Sequence, residues 1–224
     1  ANENPLLIND GGLAYPMLAS AGNAAWDDSG SSQANYREWD TTGHTDSGDS
    51  LWFSFLFNTS TESTSSELRV FALGNDNYNA GAGAMAFNSG LLHAQLGGSR
   101  SAGIAYDRGV DNLVVGLVSF TGDNSAGSVT VWLNPSLGEI PDVADGVTRT
   151  GTTSTATWST LYMRGGSNWR GQVDEVRIGT SFFSQHVRPH RYLLLEATGV
   201  AIAAFLLASG SQPALLVIAV VLLG

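Results

Sequence analysis

At 224 residues the chain has room for one large β-rich domain or two small ones. It is 43% hydrophobic but only 13% charged, with 20 acidic residues against 10 basic ones, every one of them Arg, and a net charge of −10. That balance excludes a nucleic-acid partner, because neutralising phosphates needs a basic face. The absence of Cys excludes disulfide scaffolds, Fe–S clusters, thiolate zinc sites and cysteine nucleophiles.

The chain opens at Ala1 without Met, as a mature exported protein does after signal-peptide removal. Residues 1–44 read as a polar N-terminal segment holding the first strand or strands of a sandwich. Within them Ala24–His44 is aromatic and irregular, a rim loop or a docking segment. Ser50–Ser60 (SLWFSFLFNTS) alternates Trp52, Ser54 and Leu56 against Leu51, Phe53, Phe55 and Phe57, which predicts a strand buried or half-buried on both faces. Glu67–Gly74 follows as a strand with Leu68, Val70 and Ala72 on one side. Gly83–Gly90 and Leu91–Gly98 predict a hairpin turning at Asn88-Ser89-Gly90. Asn112–Gly122 and Gly127–Pro135 are two strands joined through DNSAG, residues that tolerate positive φ. Residues 136–154 read as a long surface loop, and Thr155–Gly166 and Gly171–Phe182 as the last strands. About nine short strands at regular spacing, with no helical period before residue 188, predict an all-β protein: an antiparallel β-sandwich (jelly roll) over residues 45–187.

Residues 188–224 differ in kind. Tyr192–Ala208 is an apolar run of 17 residues, about 25 Å as a helix against a bilayer core of about 30 Å. A polar break at 209–213 containing Pro213 precedes a second run, Ala214–Gly224. The expectation is a C-terminal hydrophobic transmembrane helix, either one long span kinked at Pro213 or a span plus a half-span. Arg188 and Arg191 would meet lipid headgroups, and Tyr192 would sit at the interface. The positive-inside rule alone puts the globular part in the cytoplasm. A cleaved signal peptide would fix the orientation first, so the expected placement is periplasmic or extracellular.

The succession SLWFSFLF, LVVGLVSF, SVTVWLNPSLGE, STLYMRGG and GQVDEVRIGTSF resembles the concanavalin A-like (laminin-G-like) jelly-roll domains of exported bacterial proteins that carry a C-terminal membrane segment. The resemblance spans roughly residues 45–183. Its sharpest pieces are the last strand and VWLNP with its acidic, Pro-containing loop. The Pro-Glu-Pro sorting motif and terminal arginines common in that group are absent. In jelly rolls of this kind the Asp of a V-D-x-V-R strand often helps hold a structural Ca²⁺. The resemblance therefore implies Asp174 as a metal ligand, with Asp10 of Asn9–Gly12 as its counterpart. One carboxylate would be weak for an ion that takes six to eight oxygens, and hydrogen bonds from turn amides are the alternative for Asp174.

Glycosidases of the laminarinase type that share this fold place three acids as E-x-D-x-x-E on one strand, and no such run occurs. No G-x-S-x-G elbow occurs either, and His44, His93, His186 and His190 stand in no partner spacing. A non-enzymatic protein is expected. Sugar recognition needs solvent-facing rings with polar neighbours. The rings outside evident strand cores are Trp26, Tyr36, Trp39, Tyr78, Tyr106 and Trp169. Trp169 lies between Arg164 and Arg170 on a Gly-rich hairpin, and these three are the ligand-binding candidates. Trp52, Trp132 and Trp158 read as core. Asp46 and Asp49 read as a solvated turn. The function expected is a membrane-anchored structural or accessory subunit, with other integral membrane proteins and lipid as partners. The alternative is a lectin-like module that binds glycan or matrix, and a polysaccharide-active enzyme is a remote third.

Overall fold

Ser50–Thr59 forms the strand around which the molecule is organised, because its apolar residues occur at both parities and each set finds its own cover. In the computed structural model the described residues are 7–9, 12–16, 18, 24–27, 33–38, 44–61, 68–74, 81–87, 89–122, 124–154, 158, 160–165 and 170–182. The chain divides into two units, Ala1–Gln185 and His186–Gly224, and every described residue belongs to the first. The apolar runs beyond residue 191, with Arg188, Arg191, Tyr192 and Pro213, lie outside the described residues. Among the described residues no helix is long and apolar enough to cross a membrane.

The described strands are β1 (Leu7–Asn9), β2 (Ala24–Asp27), β3 (Gln33–Glu38), β4 (Ser50–Thr59), β5 (Leu68–Gly74), β6 (Ala82–Phe87), β7 (Leu91–Leu96), β8 (Ser99–Ala105), β9 (Asn112–Gly122), β10 (Ser125–Leu133), β11 (Val147–Ser154), β12 (Thr160–Gly165) and β13 (Gly171–Gly179). They form two antiparallel sheets, ordered β1-β2-β13-β4-β9-β10-β11 and β3-β12-β5-β6-β7-β8. Neighbours far apart in sequence, such as β13 with β4, make this a jelly-roll-type sandwich rather than a meander.

The two parities of β4 feed two cores. Leu51, Phe53, Phe55 and Phe57 lie between the sheets with Val114 and Val118 of β9, Val129 and Val131 of β10, and Ala84, Leu92 and Ala94 from the facing sheet. Small residues on β6 leave room for the three phenylalanine rings of β4. Trp52 and Leu56 point to the outer face of the seven-stranded sheet, where Leu113, Val115 and Trp132 join them. Leu13, Leu18 and Phe182 cover that face, so the sheet is apolar on both sides and the strand alternation disappears into a continuous run.

Two carboxylates hold that cover in place. The Leu13 amide donates to Asp174 Oδ2 at 2.8 Å, and the Ala14 amide donates to Asp111 Oδ2 at 2.9 Å. Asp111 Oδ1 also accepts from the Asn58 side chain at 2.8 Å. Backbone amides are otherwise orphaned in a segment outside any sheet, so a carboxylate acceptor is a strong local solution.

The strand reading holds for Ser50–Ser60, for the hairpin at residues 88–90, which pairs β6 with β7, and for β9 with β10. The loop expected over residues 136–154 holds only as far as residue 146, with a short 3₁₀ turn at Val143–Asp145, and Val147–Ser154 is strand β11. β11 is an edge strand with most residues exposed, so it needs no apolar alternation, and its Thr and Val content suits it to a pleat. Tyr106 also departs from expectation: rather than facing solvent, its ring is buried in the core, edge-on to Phe57 with centroids 5.0 Å apart. Burial raises the pKa of its hydroxyl, against smaller lowering effects from a Thr59 hydrogen bond and the Arg108 charge.

Candidate functional site

The end of the sandwich where β9 begins and β10 finishes is built on two asparagines. Asn134 follows β10 in the left-handed region at φ 51, a conformation Asn accepts more readily than most residues. Its amide donates to the Leu113 carbonyl at 2.7 Å, and its Oδ1 accepts from the Leu113 amide at 2.7 Å. Asn112, fully buried beside it, donates to the carbonyls of Asp107 and Val110. This network closes the sheet end and directs the chain outward into residues 135–146.

Trp132 then fixes how that loop returns. Its indole N–H donates to the Asp142 carbonyl at 2.6 Å, and its ring stacks on Trp52 with centroids 5.7 Å apart and planes 16° apart. Asp142 caps the 3₁₀ turn, its Oδ1 accepting from the Ala144 amide at 2.9 Å. Gly146 lies so close to the ring that a Cβ there would fall 2.8 Å from the indole nitrogen. The result is an open groove of about 500 Å³ lined by Trp132 to Ser136, Glu139 to Asp142, and Asp145. Pro135, Ile140 and Pro141 supply apolar surface, while Asn134, Ser136 and three carboxylates supply hydrogen-bonding groups. Ile140 is 55% exposed and Val143, on the same loop, 57%.

The other sequence candidates fall elsewhere. Asp174 is buried, and both of its oxygens are engaged by backbone amides, Oδ2 by Leu13 and Oδ1 by Glu175 at 2.7 Å. Asp174 opens an irregular stretch of β13, where the register with β4 shifts before Arg177 and Glu175 takes φ 51. There Glu175 and Arg177 form an ion pair at 2.5 Å. Asp10 lies outside the described residues, and among the described residues no group of three metal-ligating side chains occurs. Asp46 and Asp49 close a turn on each other: the Asp46 amide donates to Asp49 Oδ2, and the Asp49 amide to the Asp46 carbonyl.

Arg170 is exposed, and its carbonyl accepts from the Ser60 amide at 2.9 Å. Strand register places it at the same end of the sheet as the groove. Gly171 pairs with Thr59, Phe57 with Asn112, and Val114 with Leu133. It is three strands from β10, roughly 14 Å at ordinary strand spacing. Arg164 stands opposite Arg69 on β5 and Ala34 on β3. Its side chain, like Trp169, lies outside the described residues. Among the groove residues the sequence marks Trp132 as core and the stretch after VWLNP as an acidic, Pro-containing loop, and neither as a binding site. The pattern Pro135…Pro141-Asp142…Asp145 after a strand was the available signal, because a Pro-bounded stretch with an Asp cap marks a structured loop.

Together these elements define a jelly-roll-type antiparallel β-sandwich with a preformed groove at one end of its seven-stranded sheet. Neither a family model nor a curated protein matches the sequence. Among solved structures the chain is similar to the carbohydrate-binding module CBM66 from Bacillus subtilis, at 7% identity over 79% of this chain and 96% of that one, with a TM-score of 0.39. It is similar also to a carbohydrate esterase of the Shiga toxin-encoding bacteriophage phi24B, at 14% identity over 78% and 87% of the two chains, with a TM-score of 0.47. A sialidase matches at 11% identity and a TM-score of 0.48 over 89% of this chain, which spans 19% of that enzyme. Such likenesses concern the general sandwich architecture alone.

Proposed function

We propose that this chain is a non-enzymatic β-sandwich module that binds glycan in the groove between the end of β10 and residues 135–145. The observation that carries this reading is the groove itself. Its volume of about 500 Å³ falls in the range of small-molecule sites, and its walls mix apolar and hydrogen-bonding groups. A pyranose presents both C–H faces and hydroxyls; in place of the solvent-facing ring expected from the sequence, Ile140 and Pro141 offer apolar surface to the first, and Glu139, Asp142 and Ser136 suit the second. The loop is held by Trp132, Asp142 and Asn134 before any ligand arrives, which lowers the ordering cost of binding. Absence of the E-x-D-x-x-E run from the sequence supports binding without hydrolysis.

Glycan arrays followed by titration calorimetry test the reading. Ile140→Ser and Glu139→Ala are each expected to raise Kd about tenfold, equivalent to about 1.4 kcal/mol. Failure of every glycan class to bind, or affinity untouched by both substitutions, would overturn it. The apolar runs Tyr192–Ala208 and Ala214–Gly224 favour a second reading, an accessory subunit of a membrane-protein assembly. Co-migration with a large integral complex after mild detergent extraction is its test.

A further inference from the structure

We propose that the sugar unit held in the groove carries an amine, and that the site discriminates against acidic and N-acylated glycans. This rests on the glycan-binding reading above and names the ligand class for the same groove. The docking surface is apolar at its rim, where Ile140 is exposed beside Pro135 and Pro141. Charge then selects the occupant. Every charged side chain lining the groove is a carboxylate, from Glu139, Asp142 and Asp145, with no cation among them. None of the three takes part in an ion pair among the described residues. Asp142 commits Oδ1 to its cap on Ala144 and leaves Oδ2 for another donor.

An ammonium offers three donors and a full positive charge, so it satisfies such acceptors better than a hydroxyl does. A uronic or sialic carboxylate at the same place would meet like charge at close range, in a chain whose net charge is −10. An N-acetyl group removes the charge and keeps the ring, which makes it the informative control.

The experiment uses the full chain and three probes: a glucosamine tetramer, an N-acetylglucosamine tetramer and a galacturonic acid oligomer. Calorimetry at 20 mM and 500 mM NaCl is expected to show at least a tenfold preference for the amine at low salt. That preference is expected to shrink at high salt, where exposed charges are screened. Glu139→Gln with Asp145→Asn is expected to bring the ratio near one, whereas Asp46→Asn, a neutralisation at the opposite end of the sheet, leaves it unchanged. If the N-acetylated tetramer binds as tightly and Ile140→Ser weakens it, the charge inference fails while the groove reading survives. If Asp46→Asn lowers amine binding as much as the groove substitutions do, the attraction belongs to the whole acidic chain, and the inference fails. If no oligosaccharide binds, both fall.

Discussion

Trp132→Ala is expected to lower the unfolding free energy by about 3–5 kcal/mol, the range for truncating a buried Trp, and to abolish the groove with it. Trp132 is only 2% exposed and belongs to the outer core with Leu113, Val115 and Trp52. Truncation leaves a cavity beside Trp52 and removes the indole donor from the Asp142 carbonyl. Thermal unfolding measures the first effect, with a fall of roughly 10 °C for a chain of this length. Glycan titration at a temperature where the variant stays folded measures the second. Trp132→Phe separates them. It keeps most of the apolar volume but lacks the N–H, so it should lose affinity more than stability. Equal affinity for Trp132→Phe and the parent chain would show that the hydrogen bond does not shape the loop.

Gly116→Ala is expected to destabilise by about 1–3 kcal/mol or somewhat more, although it adds one methyl group to a strand. Gly116 pairs with Phe53 across β4 and β9, and a Cβ there would lie 1.9 Å from Phe53 Cζ. The ring has nowhere to retreat. Phe53 is fully buried, and Phe55 stacks beside it with planes 7° apart. Denaturant unfolding of Gly116→Ala, Phe53→Leu and the double variant gives the coupling. Phe53→Leu should recover part of the loss, because a shorter side chain vacates the methyl's place. Strict additivity of the two losses would show that the strain lies elsewhere.

Much of the fold was legible because burial on two sides leaves a plain mark. The run Leu51–Phe57 has no polar parity except Ser54, and that alone called for cover on both faces. The hairpin at residues 88–90 announced itself by turn chemistry, and Trp52, Trp132 and Trp158 by their apolar neighbours; all three are buried. β11 was not legible, because an edge strand facing water carries no periodic signal. Tyr106 was misread because it sits between strands in the sequence, and only folding brings Phe57 against its ring.

The candidate site divides along the same line. Local sequence determined that Pro141 and Asp142 would lie in an irregular, acidic loop, since proline and an Asp cap act on their own neighbours. Tertiary structure decided that this loop encloses a groove, because the constraint comes from the Trp132 indole and from Asn134 bonding across to Leu113, 21 residues away. It decided also that Asp174 meets the Leu13 amide from 161 residues away. Such pairings depend on which strands become neighbours in the sheet, and a contact between distant residues leaves no pattern in either segment taken alone.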